Sequence, residues 1–450
     1  MVIMMKSSNE KINKSKEIIK KEQEKIKQEK RKIKLEKQEK FYNTKFGKII
    51  KKIFLVKENK EEQPPTMKEQ IFSMLYFEII GFILCLLVLF ACSGGKNFLK
   101  LYKELNKLIN VYDTITSDYY GELDKNELID SAIESMLSSV GDNYTTYSDE
   151  NTTNSFLENI EGTYEGIGCM VSMDENGNIY VVTVFEDGPA EKAGLKENDI
   201  ILKIDDQDYQ GKTSEDMSSY VKESTNKKIK LTIKRGEEEK EITITREKVE
   251  VPSVESKIIE QDNKKIGYID ISIFSSVTTD QFEKQLKSLE KQGIQGLIID
   301  VRNDTGGYLS TVTDITNLFL KKGQVIYQLE DNEKTEKIKD TTKEKRTYPI
   351  AVLVNASSAS ASEILASAIK ESYHGYVVGT NTYGKGTVQK TKQLSDGSMI
   401  KYTVQNWLTP NGNWINETGL EPTHIVALDV TKEEDNQLQT AVNLVAGDIK

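Results

Sequence analysis

Residues 297–307 read LIIDVRNDTGG and residues 350–363 read IAVLVNASSASASE. Each is a nearly unbroken apolar run that ends in a turn of small and polar residues. A strand with no polar face is buried on both sides, as in a parallel sheet covered by helices. In open α/β sheets, ligands lie beyond the carboxyl ends of the strands. The Gly306-Gly307 turn and the serines of 357–362 therefore mark one place for chemistry.

Outward from these runs, 266–271 reads as a strand, and 279–292 as a helix with Phe282, Leu286 and Leu289 on one face. Helices follow the two turns, to about 320 and 370. Residues 376–379 make a further strand, 383–386 a turn, and 387–390 begin another strand. Upstream, 98–158 has helical spacing, with Leu105, Leu108, Ile109 and Tyr112, then Leu128, Ile129, Ala132, Ile133 and Met136. The loop Gly141-Asp142-Asn143-Tyr144 follows.

Between these parts the spacing becomes that of short strands, at 168–173, 179–185, 200–204, 229–233 and 242–245. Gly188-Pro189-Ala190 opens a short helix ending at Gly194. The unit begins with Gly166-Ile167-Gly168, a turn that runs straight into a strand. Successive N–H groups in such a turn point one way, making a nest for a peptide's terminal carboxylate, and the adjoining strand edge can pair with the peptide.

Residues 71–92 are 22 residues with one charge, Glu78. A helix of that length is about 33 Å long, enough for a bilayer core of about 30 Å. Residues 1–66 hold 20 Lys/Arg and 10 Asp/Glu, whereas the whole chain is net −10. The basic excess on the N-terminal side orients the N-terminus to the cytoplasm and the rest outside the cell membrane. Ile12, Ile19, Ile26 and Ile33 repeat every seven residues, but the second core position is polar, so this arm reads as a solvated charged segment. The end of the span, Leu89 to Cys92, resembles a lipoprotein box only loosely, with Phe90 out of place.

The expected organisation is multidomain α+β and α/β. It comprises a basic cytoplasmic arm (1–66), a single transmembrane helix (67–92), a helical segment (97–159), a mostly β unit (160–248) and a mixed α/β body (249–450). The acidic body argues against nucleic acid as a partner. His374 and His424 are the only two histidines, so no HExxH motif and no three-imidazole zinc site can be built. Cys85, Cys92 and Cys169 offer neither a disulfide framework nor a CxxC pair. No cofactor or metal is expected.

A serine at a strand-to-helix turn presents its hydroxyl beside unpaired N–H groups that can hold an oxyanion. Ser357, Ser358, Ser360 and Ser362 compete on spacing alone, and serines also cap helices, with Glu363 able to complete a capping box with Ser360. Neither histidine is placed to act as base. A lysine can serve if burial lowers its pKa. Lys385 stands between glycines after an apolar strand, and an extended chain there puts Lys385, Thr387 and Gln389 on one face.

Two resemblances add to this reading. The order Gly-Ile-Gly, strand, Gly-Pro-Ala-Glu-Lys-Ala-Gly-Leu, Asn-Asp-Ile-Ile, strand, helix, strands over 160–248 resembles a PDZ domain. The set Ser358-Ala-Ser360-Ala-Ser362-Glu363, with Tyr-Gly-Lys385-Gly-Thr-Val-Gln389 following, resembles the C-terminal processing peptidase family, serine proteases with an inserted PDZ domain, over about 98–427. That resemblance implies Ser360 as nucleophile, Lys385 as general base and Gln389 as the residue orienting it. It implies an oxyanion hole from Ala361 with Gly306 or Gly307, Gly307 preferred. Gly166, Ile167 and Gly168 would bind the C-terminus of a protein or peptide substrate, and a homodimer through 98–158 is allowed. Asp304-Thr305 departs from the family's frequent Asn-Pro. The alternative is a catalytically silent, membrane-tethered PDZ scaffold. A histidine-dependent protease of the trypsin type is disfavoured, because no histidine precedes residue 374.

Overall fold

In the computed structural model, residues 67–92, 98–343 and 346–449 are described. The chain divides into two units, Met1–Tyr120 and Gly121–Lys450. The basic arm and its isoleucine repeat lie outside the described residues. Helix α1 runs Met67–Cys92 over 26 residues, and α2 runs Phe98–Asp118. Among the described residues, no helix is long and apolar enough to cross a membrane. The crossing expected of 71–92 thus rests on the sequence alone.

The second unit begins with α3, Lys125–Ser138, where the Asp124 carboxylate accepts the N–H groups of Asn126 and Glu127. Strand β1, Thr146–Ser148, follows the expected 141–144 loop in a stretch otherwise expected to be helical. Helix α4, Glu150–Glu161, is capped by Asp149 and ended by Gly162 at φ +65°. Strand β2, Thr163–Gly166, leads into β3, Cys169–Met173, and β4, Ile179–Val184. After them come α5, Pro189–Lys192, β5, Ile200–Ile204, β6, Gln207–Asp208, and α6, Ser214–Glu223. Strands β7, Lys228–Arg235, and β8, Glu238–Thr245, complete an antiparallel sheet of order β3-β4-β5-β7-β8. Ile179, Val181, Ile201, Ile204, Ile229, Leu231 and Ile244 form its core, with Met217 and Val221 of α6 packed on them. Strand β9, Glu247–Glu250, pairs with β2, so entry to and exit from this unit lie side by side.

The body contains β10, Val254–Gln261, β11, Lys264–Ile271, α7, Thr278–Lys291, β12, Gly296–Asp300, and α8, Leu309–Asn317. Strands β13, Val325–Glu330, β14, Thr335–Lys339, and β15, Ile350–Val354, precede α9, Ala361–Ala368, and β16, Tyr376–Gly379. The chain continues with β17, Thr387–Gln393, β18, Met399–Leu408, β19, His424–Ile425, and α10, Asn436–Asp448. One sheet has the order β10-β11-β12-β15-β16-β19, parallel except for β10.

The two apolar runs lie at the centre of that sheet, and every residue of β12 and β15 is buried. Alternation explains why. Leu297, Ile299, Ile350, Val352 and Val354 point into one cluster with α7, α8 and α9. Ile298, Ala351 and Leu353 point into another with Ala441, Val442 and Val445 of α10. Each large apolar side chain so buried contributes about 1.5–3 kcal/mol. A second, antiparallel sheet joins β1, β18, β13 and β14, with β17 on β18. Its β1, β13, β14 and β18 were not anticipated.

Candidate active site

The carboxyl ends of β12 and β15 run into two turns that brace one another. After β15, Ser358 Oγ donates to Val301 O at 2.7 Å and Ser362 Oγ to Asp304 O at 3.0 Å, both serines being fully buried. Ala359 N–H donates to Asp304 O at 3.0 Å, and Asn355 Nδ2 to Asn303 Oδ1 at 2.8 Å. Ser357 is exposed. Of the four competing serines, Ser360 is the one that lines the cleft beyond the strands, a cavity of about 730 Å3.

Ser360 stands at the start of α9 with φ +56° and ψ −110°. A residue with a Cβ in that region is strained by roughly 1–3 kcal/mol. The neighbourhood holds it there. Its N–H donates to Glu363 Oε2 at 2.7 Å, while Gly306 abuts it so closely that a Cβ on Gly306 would lie 2.9 Å from Ser360 Cβ and 2.7 Å from Ala359 O. The resulting geometry lifts the hydroxyl off the strand end and into the cleft.

Two residues with N–H groups to offer, Ala361 and Gly307, line the same cleft. Ala361 occupies the first turn of α9, where N–H groups have no helical partner. Gly306 N–H is committed to Asp304 Oδ1 at 2.8 Å, whereas Gly307 N–H donates to none of the described residues. Gly307 has φ +153°, and a Cβ there would lie 2.2 Å from Phe274 O, so no side chain fits. The bridge Phe274↔Gly307 fixes the peptide, with Phe274 N–H donating to Gly306 O and Tyr308 N–H to Phe274 O.

Lys385 lines the same cleft from the far loop. Glycines flank it because nothing larger fits: a Cβ on Gly384 would lie 2.7 Å from Gly419 N, and one on Gly386 would lie 2.8 Å from Asn416 N. Trp407 Nε1 donates to Lys385 O at 2.7 Å and Trp414 Nε1 to Gly386 O at 2.9 Å. Burial, then the neighbouring Lys401 charge, pulls the Lys385 pKa below the usual lysine value, against the opposing carboxylates of Glu363 and Asp142. Its Nζ lies 5.2 Å from the centre of the Tyr144 ring. Among the described residues it makes no hydrogen bond or ion pair, so the amine is not yet bonded to Ser360.

Gln389 also lines the cleft. Its amide nitrogen donates to Thr387 Oγ1 at 2.8 Å and Thr403 Oγ1 at 3.2 Å, not to Lys385. The pairing of β17 with β18 shifts register between Val388 and Gln389. The extra residue lies on β18, so the alternation expected of 385, 387 and 389 holds, and all three side chains line the cleft.

A residue read from sequence only as a cap proves central. Glu363 is fully buried, and its carboxylate accepts Thr382 Oγ1 at 2.5 Å, Gly384 N–H at 2.7 Å and Lys385 N–H at 2.9 Å, besides Ser360 N–H. Burial nonetheless pushes its pKa up. The capping pattern of Ser360 and Glu363 was visible in the sequence, but the loop it holds was not. His374 is an exposed helix cap and His424 packs edge-on against Tyr376; neither lines the cleft.

In the inserted unit, Gly168 has φ +80° and Ile167 is buried. Ile167, Cys169 and Val171 face Met217 and Val221 of α6 across a groove of about 340 Å3. The Tyr164 hydroxyl faces the N–H groups of Gly168 and Cys169. Helix α4 walls both spaces, with Glu158 on the groove side, paired with Lys222 at 2.5 Å, and Phe156 and Ile160 on the cleft side.

Residues 265–426 match the model of peptidase family S41, 166–245 that of a PDZ domain, and 92–152 that of the activating protease CtpB N-terminal domain. The carboxy-terminal processing protease CtpB of Bacillus subtilis (strain 168) is 40% identical over 327 residues, 71% of this chain and 67% of that protein. A probable CtpA-like serine protease of Staphylococcus aureus (strain COL) is 37% identical over 331 residues, 73% of this chain and 65% of that protein. The chain thus spans about two thirds of the length of these relatives. A solved photosystem II D1 C-terminal processing protease is 25% identical, with a TM-score of 0.44, over 79% of this chain and 92% of its own. By these matches this chain belongs to peptidase family S41, as a PDZ-containing, serine-type carboxy-terminal processing peptidase.

Proposed function

We propose that the chain is a membrane-anchored endopeptidase that captures protein substrates by their free C-terminal ends and cleaves a nearby interior bond with a Ser360–Lys385 dyad. The observation that carries the dyad is the cleft itself. Its lining includes Ser360, raised at the strand end, and Lys385, whose pKa burial depresses. Neutral Lys385 takes the proton as Ser360 Oγ attacks the carbonyl. The oxyanion is met by the N–H groups of Ala361 and Gly307. Lys385 then hands its proton to the leaving amine, and a water deprotonated by Lys385 releases the acyl-enzyme. Swinging the amine off the Tyr144 ring toward Ser360 completes the dyad. Gln389, tied to Thr387 and Thr403, limits where the amine can rest.

The peptide C-terminus docks on Gly166, Ile167 and Gly168, with its carboxylate replacing the Tyr164 hydroxyl at the strand's N–H groups. An apolar last side chain suits Ile167, Cys169, Met217 and Val221. The anchor is proposed from the 22-residue apolar stretch and its basic flank, with the N-terminus cytoplasmic and the peptidase outside. Exposed Met74, Leu75, Phe77, Phe82 and Ile83 of α1 support it. Exposed Leu105, Leu108 and Ile109 on α2 support a homodimer through that helix.

The test is Lys385→Arg, which keeps the charge but cannot become a neutral base. It is expected to be as inactive as Ser360→Ala on a quenched peptide with a free apolar C-terminus. Normal cleavage by Lys385→Arg would remove the dyad and leave the silent-scaffold reading.

A further inference from the structure

Behind the oxyanion turn lies a carboxyl group for which the reaction scheme has no use. Asp304 is fully buried. Its Oδ1 accepts Gly306 N–H at 2.8 Å, and its Oδ2 is buried with no hydrogen-bond partner among the described residues. Its main-chain carbonyl is also occupied, by Ala359 N–H and Ser362 Oγ. The residue thus ties the β12 turn to the β15 turn and decides where the peptide after Gly306 points.

A buried carboxylate with one bare oxygen is costly, because nothing replaces the water that solvated it. The charged groups around it do not help. Asp270, at the end of β11, faces it with the same sign. Arg302, on its own turn, is committed to Asp300 and Asp435. Glu363 on α9 is turned to the loop at 382–385, and Lys385 and Lys401 line the cleft. An ionised Asp304 would also set a negative charge against the Gly306 peptide, adjoining the N–H that meets the oxyanion.

We propose that Asp304 is a positioning residue of the oxyanion turn that works with its carboxyl protonated: Oδ1 holds the Gly306 N–H and so aims the Gly307 N–H, while the proton on Oδ2 keeps negative charge away from the developing oxyanion. The assignment rests on Gly307 being an oxyanion donor. Burial, with Asp270 adding to it, pushes the Asp304 carboxyl up to about 7 against the Gly306 N–H and the nearby Ser362 hydroxyl, which favour its charged form. Activity therefore has an alkaline limb of its own, separate from the acidic limb on which Lys385 loses its proton.

The experiment compares the full-length wild-type chain with Asp304→Asn, an uncharged isostere, with Tm read from pH 4 to 9 and kinetics from pH 6 to 9. Two quantities are read: kcat/KM on a quenched peptide with a free apolar C-terminus, and Tm. The wild type is expected to lose roughly tenfold in kcat/KM between pH 7 and 9 relative to the variant. The Tm gap has a defined sign. A carboxyl whose folded pKa is raised costs stability once pH passes its unfolded value of about 4, and the cost is complete above about 7. Asp304→Asn should therefore gain on the wild type as pH rises from about 4 to 8. Superimposable pH profiles with a constant Tm gap would overturn the proposal. If neither chain cleaves the peptide, the catalytic reading fails, and the Tm gap alone decides whether Asp304 is held protonated. Should Asp304→Asn fail to fold, pH-difference infrared spectra of the double variant Asp270→Asn, Glu363→Gln, which removes the two other buried carboxyls with raised pKa, replace it. A protonated-carboxyl band present at pH 6 and lost by pH 8 supports the proposal, and its absence overturns it.

Discussion

One oxygen of Glu363 accepts the main-chain N–H of Ser360 at 2.7 Å and that of Lys385 at 2.9 Å, so a single buried atom sets the separation of the two strands of chain that carry the serine and the lysine. The other oxygen takes Thr382 and Gly384. An amide cannot accept on both sides. Glu363→Gln should lower kcat by about 10²–10³-fold with KM little changed, since substrate contacts are untouched. It should also cost about 1–3 kcal/mol in stability from buried N–H groups left unpaired. Steady-state kinetics and thermal melts check both.

The Lys385 pKa is depressed, and the sign for stability follows. The fold favours the neutral amine, so at neutral pH the buried ammonium costs stability, a cost relieved as pH rises toward the unfolded value of about 10.4. Lys385→Met should melt higher than the wild type at pH 7, by a margin that shrinks as pH rises. In the active enzyme the same depression should place the acidic limb of kcat/KM below the usual lysine range. His374→Ala and His424→Ala should leave that limb in place. A limb that disappears in either histidine variant would reassign the base.

Gly306→Ala sets a methyl against Ala359 O and Ala361 N. The nucleophile turn must then shift. Peptide hydrolysis should fall by at least about 10²-fold, because one misplaced oxyanion donor costs that much. Binding of a C-terminal peptide at the distant groove should be unchanged, measured by fluorescence anisotropy.

Met217→Asp or Val221→Asp puts a charge into the apolar groove of the inserted unit. Capture of a peptide with an apolar free C-terminus should weaken by roughly tenfold or more. Amidation of that C-terminus should weaken capture by the wild type in the same assay. Equal affinity for acid and amide would refute recognition of the free end.

Much of the body was legible because β12 and β15 leave no polar face, and such runs have one stable home. The antiparallel sheet was harder to read. Strand β14 is TEKIK, almost wholly exposed, and β18 is MIKYTVQNWL, half-buried with mixed polarity. Strand β1 pairs Thr146 with Lys401, across more than half of the described chain. Periodicity is local, so it cannot anticipate such pairs. At the site, spacing left four serines equivalent. Ser358 and Ser362 differ from Ser360 only in where the folded turns send their hydroxyls. Gln389 was rightly placed on the Lys385 face by alternation, but its hydrogen-bond partners, Thr387 and Thr403, were not legible because Thr403 comes from β18. The reach of Glu363 to Gly384 and Lys385 needed the loop to come back, which no helix-cap pattern encodes.

The positive φ of Ser360 has a chemical corollary. A branched β-carbon is a severe outlier in that region of backbone space. Threonine, though it carries an equally good alcohol, is shut out of the position by its extra methyl rather than by its reactivity. Cysteine, unbranched, is not. The shape of one peptide unit thus narrows which atoms this scaffold can ever offer to a carbonyl carbon.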